Sequence, residues 1–436
     1  MTTTAPDLRR DGVCAPRLLA GWFATGAPAD RAAHAARYGP LPVADLRHRA
    51  GRAELTETVA RAGLRGRGGG GFPTARKLIA VAAARGRPVV VANGCEGDPA
   101  GLKDRVLLEI APHLVIDGIV LAAAAVRARD AVLCLGEGGL QVARIAGALA
   151  ERSGTDPIDV RVTEVPHRYV ASEESALARF LTRGDARPTM TPPRPAQRGV
   201  HGRPTLVDNV ETLAHLALIA RYGAEWYRGC GTAAAPGTTL VTIRGAVWKP
   251  GVYEVEYGMS LESVLHEAGG PAAPAGAVLV GGLGGAWLAP PFADVAFTPE
   301  DLRAAGAVGG GVAALAVLPR RACGLAETAR VVRYLAAESA RQCGPCMFGL
   351  PALADDMTKL SVGGGGPATL DRLRRRLDVV RGRGACAHPD GAVAVVSSAL
   401  RVFADDVERH VAGAPCSSAG LRPWLPVPGV GAWPGP

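Results

Sequence analysis

The sequence predicts three folded units in succession: an α/β unit with a mostly parallel sheet, a small α+β module and a helical bundle. Three patterns indicate this order. Strands alternate with helices over about residues 55–225, a β-hairpin and an amphipathic helix follow in 237–270, and a helical period runs from 324 to 413. With 436 residues, 48% hydrophobic and 20% charged, the chain is long enough for two to four globular domains.

The first unit begins after an arm. Residues 1 to about 50 are rich in Ala, Arg and Pro, and we expect them to wrap the next domain. The stretch ELTETVARAGL has a helical period, and RPVVVANGCEGDPAG is a short strand that ends in turn residues. HLVIDGIVLAAAAVRA then predicts a helix and DAVLCLGEGG a second strand. This alternation is typical of a mostly parallel sheet.

The second and third units have different patterns. Residues 237–270 predict a hairpin that turns at Lys249, Pro250 and Gly251, followed by an amphipathic helix and further strands up to about residue 320. Beyond them the pattern is helical, apart from a glycine linker near 363–367, and it predicts a short bundle that holds cysteines. The Pro-, Gly- and Ser-rich tail after residue 413 predicts an unfolded segment.

Charge and composition narrow the function classes. The formal charge of +9 comes mostly from arginines spread along the chain, so we expect no nucleic-acid partner. No apolar run approaches the roughly 20 residues that cross a bilayer, and the N-terminus has no apolar signal-peptide core. We therefore expect a cytoplasmic protein without membrane insertion, in which the nine cysteines are thiols or ligands rather than disulfides.

The strongest local motif is GLRGRGGGGFPTARKL, residues 63–78. Gly68 to Gly71 leave no Cβ to block a flat ring or a phosphate, and Pro73 with Thr74 fits the first turn of a helix whose N-terminus attracts anions. The formal G-x-G-x-x-G from Gly66 to Gly71 is a weak dinucleotide fingerprint, because a helix and not a strand precedes it. A flexible glycine linker is the alternative.

Two other polar stretches have a structural and a functional interpretation. NGCEGDPAGLKDR places Asn93, Glu96 and Asp98 after a predicted strand, at the edge where open α/β sheets bind ligands; an ordinary polar turn is the alternative. In RYVASEESAL, Ser172 can cap a helix that has two glutamates in its first turn. That arrangement stabilises a helix and by itself needs no function.

The cysteines of ESARQCGPCMFG form a C-x-x-C pair, Cys343 and Cys346, and Cys386 follows 40 residues later. Spacing alone allows a zinc site completed by His388, an iron–sulfur site or a redox-active pair. The C-x-H spacing is unusual for zinc, and a thioredoxin-type pair would follow a strand rather than a helix. Buried thiols without any ligand are a further alternative.

The motifs GRGGGGFPT, KDR, EESAL, GRPTLVDNVETLA and CAHPDGAV occur in this order. With them, the sequence over about residues 50–412 resembles the NADH-binding flavoprotein subunit of respiratory complex I and its relatives in NAD-linked formate dehydrogenases and hydrogenases. The resemblance implies five segments, which are an N-terminal arm (1–50), a Rossmann-like FMN- and NADH-binding α/β domain (51–236), a ubiquitin-like β-grasp module of the soluble-ligand-binding type (237–320), a four-helix bundle with one [4Fe-4S] cluster (321–412) and a disordered tail (413–436).

The resemblance also implies roles for individual residues. The residues expected to bind FMN or to lie near the flavin are Gly66, Arg67, Gly68, Lys77, Asn93, Glu96, Asp98, Asp208 and Asn209. Those expected to bind NADH are Phe72, which stacks on the nicotinamide side, and Tyr169, Glu173 and Glu174, with Tyr169 and Glu174 as the catalytic residues. The cluster ligands are Cys343, Cys346 and Cys386.

The implied activity is the oxidation of NADH by FMN, followed by single-electron transfer to the cluster, because a flavin accepts a hydride yet can release one electron at a time. A thioredoxin-like or ferredoxin-like iron–sulfur protein is the expected electron acceptor, and the chain could lie at the periphery of a membrane complex. Two alternatives stay open: an NADH:acceptor flavoenzyme without a cluster, and a degenerate scaffold subunit without activity.

Three departures from the family pattern bear on these roles. Cys95 stands where an FMN-facing carboxylate is expected, and Asp98 is shorter than the family's glutamate. Asp208 replaces the first of two asparagines. Ala340 occupies the position of the first cluster cysteine, so the fourth ligand is missing. Helical spacing would place residue 340 one turn before Cys343, on the same face.

Overall fold

The structure is a computed structural model that describes residues 9, 10, 13, 14, 16–307, 313–420 and 422–429. The strands are β1 (Arg9–Arg10), β2 (Val13–Cys14), β3 (Val89–Gly94), β4 (Asp130–Gly136), β5 (Val160–Val165), β6 (Thr205–Asn209), β7 (Thr238–Gly245), β8 (Gly251–Glu256), β9 (Ala275–Val280), β10 (Ala286–Leu288) and β11 (Ala314–Pro319). The α-helices are α1 (Ala20–Thr25), α2 (Arg31–Tyr38), α3 (Arg49–Ala62), α4 (Thr74–Ala83), α5 (Lys103–Ile110), α6 (Pro112–Val126), α7 (Gln141–Glu151), α8 (Glu174–Arg183), α9 (Pro195–Arg198), α10 (Val210–Arg228), α11 (Leu261–Glu267), α12 (Pro299–Ala304), α13 (Gly324–Ala337), α14 (Leu350–Ser361), α15 (Gly366–Val380), α16 (His388–Val402) and α17 (Ala404–Val411).

The α/β unit is built on a four-stranded parallel sheet with the strand order β5-β4-β3-β6. β3 and β4 have the sequences VVVANG and DAVLCLG, and their nearly continuous burial is typical of parallel strands covered on both faces. The prediction of a mostly parallel sheet is confirmed. The segment before the glycine run is a helix, α3, as the sequence also predicted.

α6 is the central helix of this unit. It is apolar and buried along almost its whole length, and it packs against α10. Within the part of the chain that the structure describes, no single helix is long and apolar enough to cross a membrane. α5 and α6 reach that length and composition only as a pair, bent by 98°.

The second sheet has five strands in the order β10-β9-β11-β7-β8. β7 and β8 pair antiparallel across the predicted turn, which contains Lys249 and Pro250. β11 pairs parallel with β7 and antiparallel with β9, so the sheet is mixed. Ser260 caps α11, because its side chain accepts the N–H of Ser263 at 3.0 Å.

The C-terminal third is helical. α13, α14, α15 and α16 pack against one another, and α17 closes one end. Each helix turns an apolar stripe toward a shared core, in which Leu335, Leu353, Leu373 and Val396 have no exposed surface. The helices thereby bring the segments around Cys343 and Cys386 to one end of the unit.

The segment after residue 413 is partly ordered, which corrects the prediction of an unfolded tail. Ser417–Gly420 forms a 3₁₀ turn, and Leu425 is buried. The Trp424 N–H donates to the buried Glu327 carboxylate at 3.0 Å. Buried apolar area and this hydrogen bond hold residues 422–429 against α13, whereas residue 421 and residues 430–436 lie outside the described residues.

The N-terminal arm packs on the α/β unit, as expected. The Arg17 guanidinium donates to the carbonyls of Trp226 and Tyr227, both at 2.8 Å. Cys14 and Cys230 form a disulfide, while the other seven cysteines are free. The prediction that all cysteines are thiols or ligands is therefore wrong for this pair, which is separated by 216 residues in sequence and meets only through the fold.

Candidate functional site

The carboxyl ends of the central parallel strands carry polar side chains. Asn93 on β3 pairs in register with Asn209 on β6, and the Asn209 Nδ2 donates to the Asn93 carbonyl at 3.2 Å. The Asn93 Nδ2 donates to the Ser172 carbonyl at 2.8 Å, which joins β3 to the segment before α8. This edge is where open α/β sheets bind their ligands.

The glycine run forms a closed loop above this edge. The Gly66 N–H donates to the Phe72 carbonyl at 2.9 Å, so the two ends of the loop are joined. Gly69 and Gly71 have φ angles of 101° and 57°, in the region that residues with a side chain rarely adopt. The loop is therefore a defined turn rather than the flexible linker that the sequence left as an alternative.

One face of the loop approaches β6 and the other is open. A Cβ on Gly68 would lie 3.3 Å from the Asn209 Cβ, whereas a Cβ on Gly70 would meet no atom within 4 Å. Phe72 is 44% exposed at the end of the loop, and the Arg76 guanidinium lies 5.5 Å from its ring centre. The open face thus combines free space with an accessible aromatic ring.

Lys77, in the first turn of α4, reaches the same edge. Its Nζ donates to the Val207 carbonyl at 2.8 Å and lies 3.4 Å from Glu174 Oε2 and 3.5 Å from Asp208 Oδ1. Burial alone would lower the pKa of Lys77, but the two carboxylates raise it above its ordinary value. The other oxygen of Asp208, Oδ2, is buried without a hydrogen-bond partner among the described residues, so a donor on a ligand would satisfy it.

The start of α8 differs from the prediction, in which Ser172 was the cap. Glu173 caps the helix, because its carboxylate accepts the N–H groups of Ser175 at 2.9 Å and Ala176 at 3.1 Å. Burial raises the pKa of Glu173. Glu174 points instead to the lysine at the sheet edge. The two glutamates therefore have different surroundings.

The Arg67 side chain is turned away from the open face. Its guanidinium donates to the hydroxyls of Tyr257 at 2.6 Å and Tyr227 at 2.8 Å, and to the Thr238 carbonyl at 3.1 Å. Burial would lower the pKa of Arg67, but the two tyrosines and Glu211 raise it. The geometry makes Arg67 an anchor of the glycine loop and argues against a direct contact with FMN phosphate.

Asp98 and Tyr169 lie where the α/β unit meets the second sheet and the helices. Asp98 accepts the Leu283 N–H at 2.8 Å and the Tyr169 hydroxyl at 3.1 Å. The Tyr169 ring packs against Tyr334 and His388, with ring centres 6.2 Å and 5.1 Å apart. Burial and Asp98 raise the pKa of Tyr169. The structure brings both predicted site residues together, but it employs them in contacts between units.

A buried charge network below the loop escaped sequence reasoning. The Lys103 Nζ lies 2.6 Å from Asp104 Oδ1, 2.9 Å from Glu211 Oε2 and 3.1 Å from Asn209 Oδ1. Burial would raise the pKa of Glu211, but Lys103 above all holds it below its ordinary value. Glu96 accepts the Asp104 N–H at 3.1 Å, and burial raises the pKa of Glu96 to about 7. The motifs KDR and DNVET contained the signal, since they place charged residues next to buried apolar ones.

The second group of predicted ligands lies at one end of the helices. Burial, with Cys343 and Cys386 nearby, raises the pKa of Cys346 to about 12. Cys346 lies in Pro345–Gly349, a wider helical turn of the kind that is frequent at functional sites. His388 donates through Nε2 to a backbone carbonyl at 2.7 Å, which leaves Nδ1 as an acceptor without a partner among the described residues.

The position of the missing cysteine is not helical. α13 ends at Ala337, and Arg341 has a φ of 52°, so the chain turns before Cys343. The prediction that residue 340 lies one helical turn before Cys343 is therefore wrong. Ala340 and the preceding Ser339 are both buried, and the Ser339 hydroxyl has no hydrogen-bond partner among the described residues.

Comparison with known proteins identifies the family. Residues 59–218 match the family described as Nuo51 FMN-binding domain, residues 326–410 the NADH-ubiquinone oxidoreductase-F iron-sulfur binding region, and residues 240–284 the SLBB domain. The second F-type subunit of the NADH-quinone oxidoreductase of Rhizobium meliloti (strain 1021) is 32% identical over 374 residues, which are 82% of this chain and 89% of that protein. The chain belongs to the family of F-type subunits of NADH-quinone oxidoreductase.

Other members of this family extend the likeness. The F-type subunit of the NADH-quinone oxidoreductase of Streptomyces coelicolor (strain ATCC BAA-471 / A3(2) / M145) is 34% identical over 380 residues, covering 83% of this chain and 84% of that protein. The NADP-reducing hydrogenase subunit HndC of Solidesulfovibrio fructosivorans is 33% identical, covering 84% and 77%. A chain in the crystal structure of NAD+-reducing [NiFe]-hydrogenase in the H2-reduced state superposes with a TM-score of 0.80 at 30% identity, covering 91% of this chain and 67% of that one.

These comparisons confirm the prediction of an FMN-binding, NADH-oxidising oxidoreductase of this family with an iron–sulfur region. The residues present also fit FMN. The glycine loop leaves a cradle that a Cβ at Gly70 would begin to fill, and Asp208 offers a buried oxygen that lacks a donor among the described residues. Three thiols at one end of the helices fit the ligand chemistry of an iron–sulfur cluster.

Proposed function

We propose that this protein holds FMN between the glycine loop and the ends of β3 and β6, oxidises NADH there, and passes electrons to the cysteine end of the helices. The observation that carries this proposal is the open face of the loop above Lys77 and Asp208. When bound, FMN accepts a hydride and can release its electrons one at a time. The protein supplies orientation and electrostatics.

The residues at the sheet edge have complementary roles in this proposal. Lys77 provides a cation fixed by two carboxylates, suited to the polar groups of the flavin side chain. The Oδ2 of Asp208, which has no partner among the described residues, accepts a hydrogen bond from a hydroxyl or N–H of the ligand. Asn93 and Asn209 fix the strand ends, and Gly66 and Gly68 keep the loop close to them.

The nicotinamide side is formed by Phe72 and Glu174. The exposed Phe72 ring offers a stacking surface, and Glu174 lies at the mouth of the site. Glu173 acts through its cap on α8, and Tyr169 through its hydrogen bond to Asp98. Both are therefore positioning residues in this proposal rather than groups that touch NADH.

For the finer architecture we propose the assignments that the family implies. The α/β unit is the Rossmann-like domain, the mixed five-stranded sheet with α11 is the β-grasp module, and α13 to α16 form the four-helix bundle. The boundaries stay at 51–236, 237–320 and 321–412. The expected cytoplasmic location also stays a prediction.

A small acidic iron–sulfur protein of thioredoxin-like or ferredoxin-like type is the proposed electron acceptor. A groove next to the cysteines supports it, lined by Phe348, Val379 and the arginines Arg375, Arg376 and Arg383. Phe348 is 71% exposed and Val379 58% exposed. An apolar patch among cations favours a partner with negative surface charge, which would bring its own cluster close to Cys346.

Absorption spectra of the anaerobically purified protein, with and without NADH, test the proposed function. A yellow protein whose flavin band bleaches with NADH supports it, and an additional brown colour would report a bound cluster. Retention of flavin without bleaching would overturn the NADH-oxidising role. A colourless protein after reconstitution with FMN would favour the scaffold.

The first prediction concerns the choice of nucleotide. Glu174→Gln should raise the rate with NADPH relative to NADH, because the carboxylate at the mouth of the site repels the additional 2′-phosphate. For a partly exposed charge the effect is about 1 kcal/mol, or about fivefold. Initial rates with both nucleotides and an artificial acceptor measure the ratio. Glu57→Gln, on the exposed face of α3, is the matched control, and an equal ratio in both variants contradicts the prediction.

The second prediction concerns the missing cluster ligand. Ala340→Cys should increase iron content or slow cluster loss in air several-fold, because three cysteines leave one corner of a cubane without a thiolate. Iron and sulfide are assayed after anaerobic reconstitution. Ala337→Cys, at the end of α13, adds a thiol elsewhere in the same segment and should change neither value. If wild type and both variants bind no iron, the enzyme without a cluster is the better description.

A further inference from the structure

A second group of potential ligands lies at the other end of the helices. The Cys323 Sγ is 3.7 Å from the His410 Nε2, and the Cys416 Sγ is 3.2 Å from the same nitrogen. The three ligand atoms all lie within 4.8 Å of one another. Cys323 and His410 are buried and Cys416 is half-buried, so the group is largely shielded from solvent.

This group is separate from the cysteines of the iron–sulfur region. Cys323 precedes α13 and Cys343 follows it, and α13 has 14 residues. At 1.5 Å per residue the helix holds the two groups about 20 Å apart. His410 is in the last turn of α17, and Cys416 lies in the segment that the sequence predicted to be unfolded.

The hydrogen bonds of His410 prepare it for a metal. Its Nδ1 lies 3.0 Å from the Leu360 carbonyl, and since a carbonyl can only accept, Nδ1 carries the proton. Nε2 therefore presents its lone pair to the two sulfurs. A metal-binding histidine is usually fixed in this way by a carbonyl behind it. The Cys416 N–H donates to Nε2 at 3.0 Å, and a metal ion would replace that hydrogen bond.

The distances match one ion better than a disulfide. Tetrahedral zinc has Zn–S of about 2.3 Å and Zn–N of about 2.0 Å, which places sulfur and nitrogen about 3.6 Å apart. The two observed distances, 3.7 Å and 3.2 Å, lie on either side of this value. A disulfide between the two cysteines would not require a histidine nitrogen directed at both sulfurs.

The surroundings can support thiolates at both sulfurs once a cation is bound. The Ala326 N–H, in the first turn of α13, donates to the Cys323 Sγ at 3.4 Å. The Arg409 guanidinium donates to the Cys416 Sγ at 3.3 Å. Without a metal, burial and the neighbouring Cys323 raise the pKa of Cys416 to about 12, so the free thiol is protonated. Two thiolates and a neutral imidazole would balance the charge of a divalent cation and leave the buried centre neutral.

We propose that Cys323, His410 and Cys416 bind a Zn²⁺ ion, with the fourth position open to water. Zinc displaces a proton from each thiol and forms two Zn–S bonds and one Zn–N bond, with no change of oxidation state. The ion would fasten the segment at 414–420 to α13 and α17. The site has a structural role and is independent of NADH oxidation.

Metal analysis of the full-length protein tests this proposal. The chain is purified under reducing conditions, reconstituted with iron and sulfide, supplied with Zn²⁺ and then dialysed. We expect one tightly held zinc per chain, and X-ray absorption at the zinc edge should show two sulfur neighbours at about 2.3 Å. The edge measurement needs only the wild-type protein, so it does not depend on the folding of any variant.

Matched variants locate the ion. Cys323→Ser with Cys416→Ser should lose the zinc, while Cys343→Ser with Cys346→Ser should retain it. Loss of zinc only in the second pair would place the metal at the iron–sulfur cysteines and overturn the proposal. Absence of zinc from the wild-type protein, or a mass two hydrogens lower that maps to a Cys323–Cys416 disulfide despite the reductant, would overturn it as well.

Discussion

Valine in place of Gly70 should release FMN from the protein. In the structure a Cβ at this position meets no protein atom within 4 Å, so the chain itself tolerates a side chain there. The branched side chain would instead enter the space above the sheet edge. Overpacking of this kind costs about 1–3 kcal/mol, so FMN should bind about 10- to 100-fold more weakly. Flavin content after gel filtration and a titration with FMN measure the loss.

Two further variants separate the flavin site from the fold. Gly147→Ala on α7 also adds a methyl group in open space, but far from the loop, and it should retain flavin. Gly68→Val should lose flavin too, yet its Cβ would press on Asn209, so that result alone would be ambiguous. A Gly70→Val protein with the flavin affinity of wild type would contradict the placement of FMN on the open face of the loop.

Methionine in place of Lys103 should destabilise the α/β unit by about 3–5 kcal/mol, the range expected when one partner of a buried charge network is removed. Lys103 is 2% exposed, and its ammonium is shared by Asp104, Glu211 and Asn209. Without it, two buried carboxylates would lack their cation. Urea denaturation followed by far-UV circular dichroism measures the free energy of unfolding. Arg105→Met, on the exposed side of the same helix, should change it by less than about 0.5 kcal/mol.

The Lys103→Met variant should also respond to pH in a defined direction. In the wild type the pKa of Glu211 is held below its ordinary value, so the stabilisation is present above the unfolded pKa and is lost as the pH falls through the folded one. In the variant the pKa of the buried carboxylates rises, and protonation on acidification relieves the unpaired charge. The stability difference between the two proteins should therefore narrow from pH 7 toward pH 4. A constant difference would show that the network is not electrostatic in origin.

Local sequence determined much of the fold. The apolar runs VVVAN and AVLCL specify buried parallel strands, and the glycine run after a helix specifies a loop whose backbone needs glycine at residues 69 and 71. The position of Asn93 at a strand end and the proximity of Cys343 to Cys346 also follow from neighbours in the chain. These features depend on contacts within a few residues, which sequence patterns record directly.

The direction of the Arg67 side chain could not be predicted locally. It depends on Tyr227 and Tyr257, which lie 160 and 190 residues away in sequence. Likewise, Asp98 and Tyr169 were assigned to the site by motif, but a hydrogen bond to Leu283 draws Asp98 into a contact between units. A motif states which residue is present and leaves open which distant group it meets.

The sequence by itself determined the order of the three units, the glycine loop, the family and the residues that remain from its motifs. Only the tertiary structure decided that Lys103 neutralises the carboxylates below the loop, that residue 340 lies outside a helix, that Cys14 pairs with Cys230, and that Cys323 and Cys416 meet at one histidine. The physical reason is that secondary structure follows from short-range sterics and apolar periodicity. Buried polar groups, in contrast, must find their partners wherever the folded chain brings donors, acceptors and charges together.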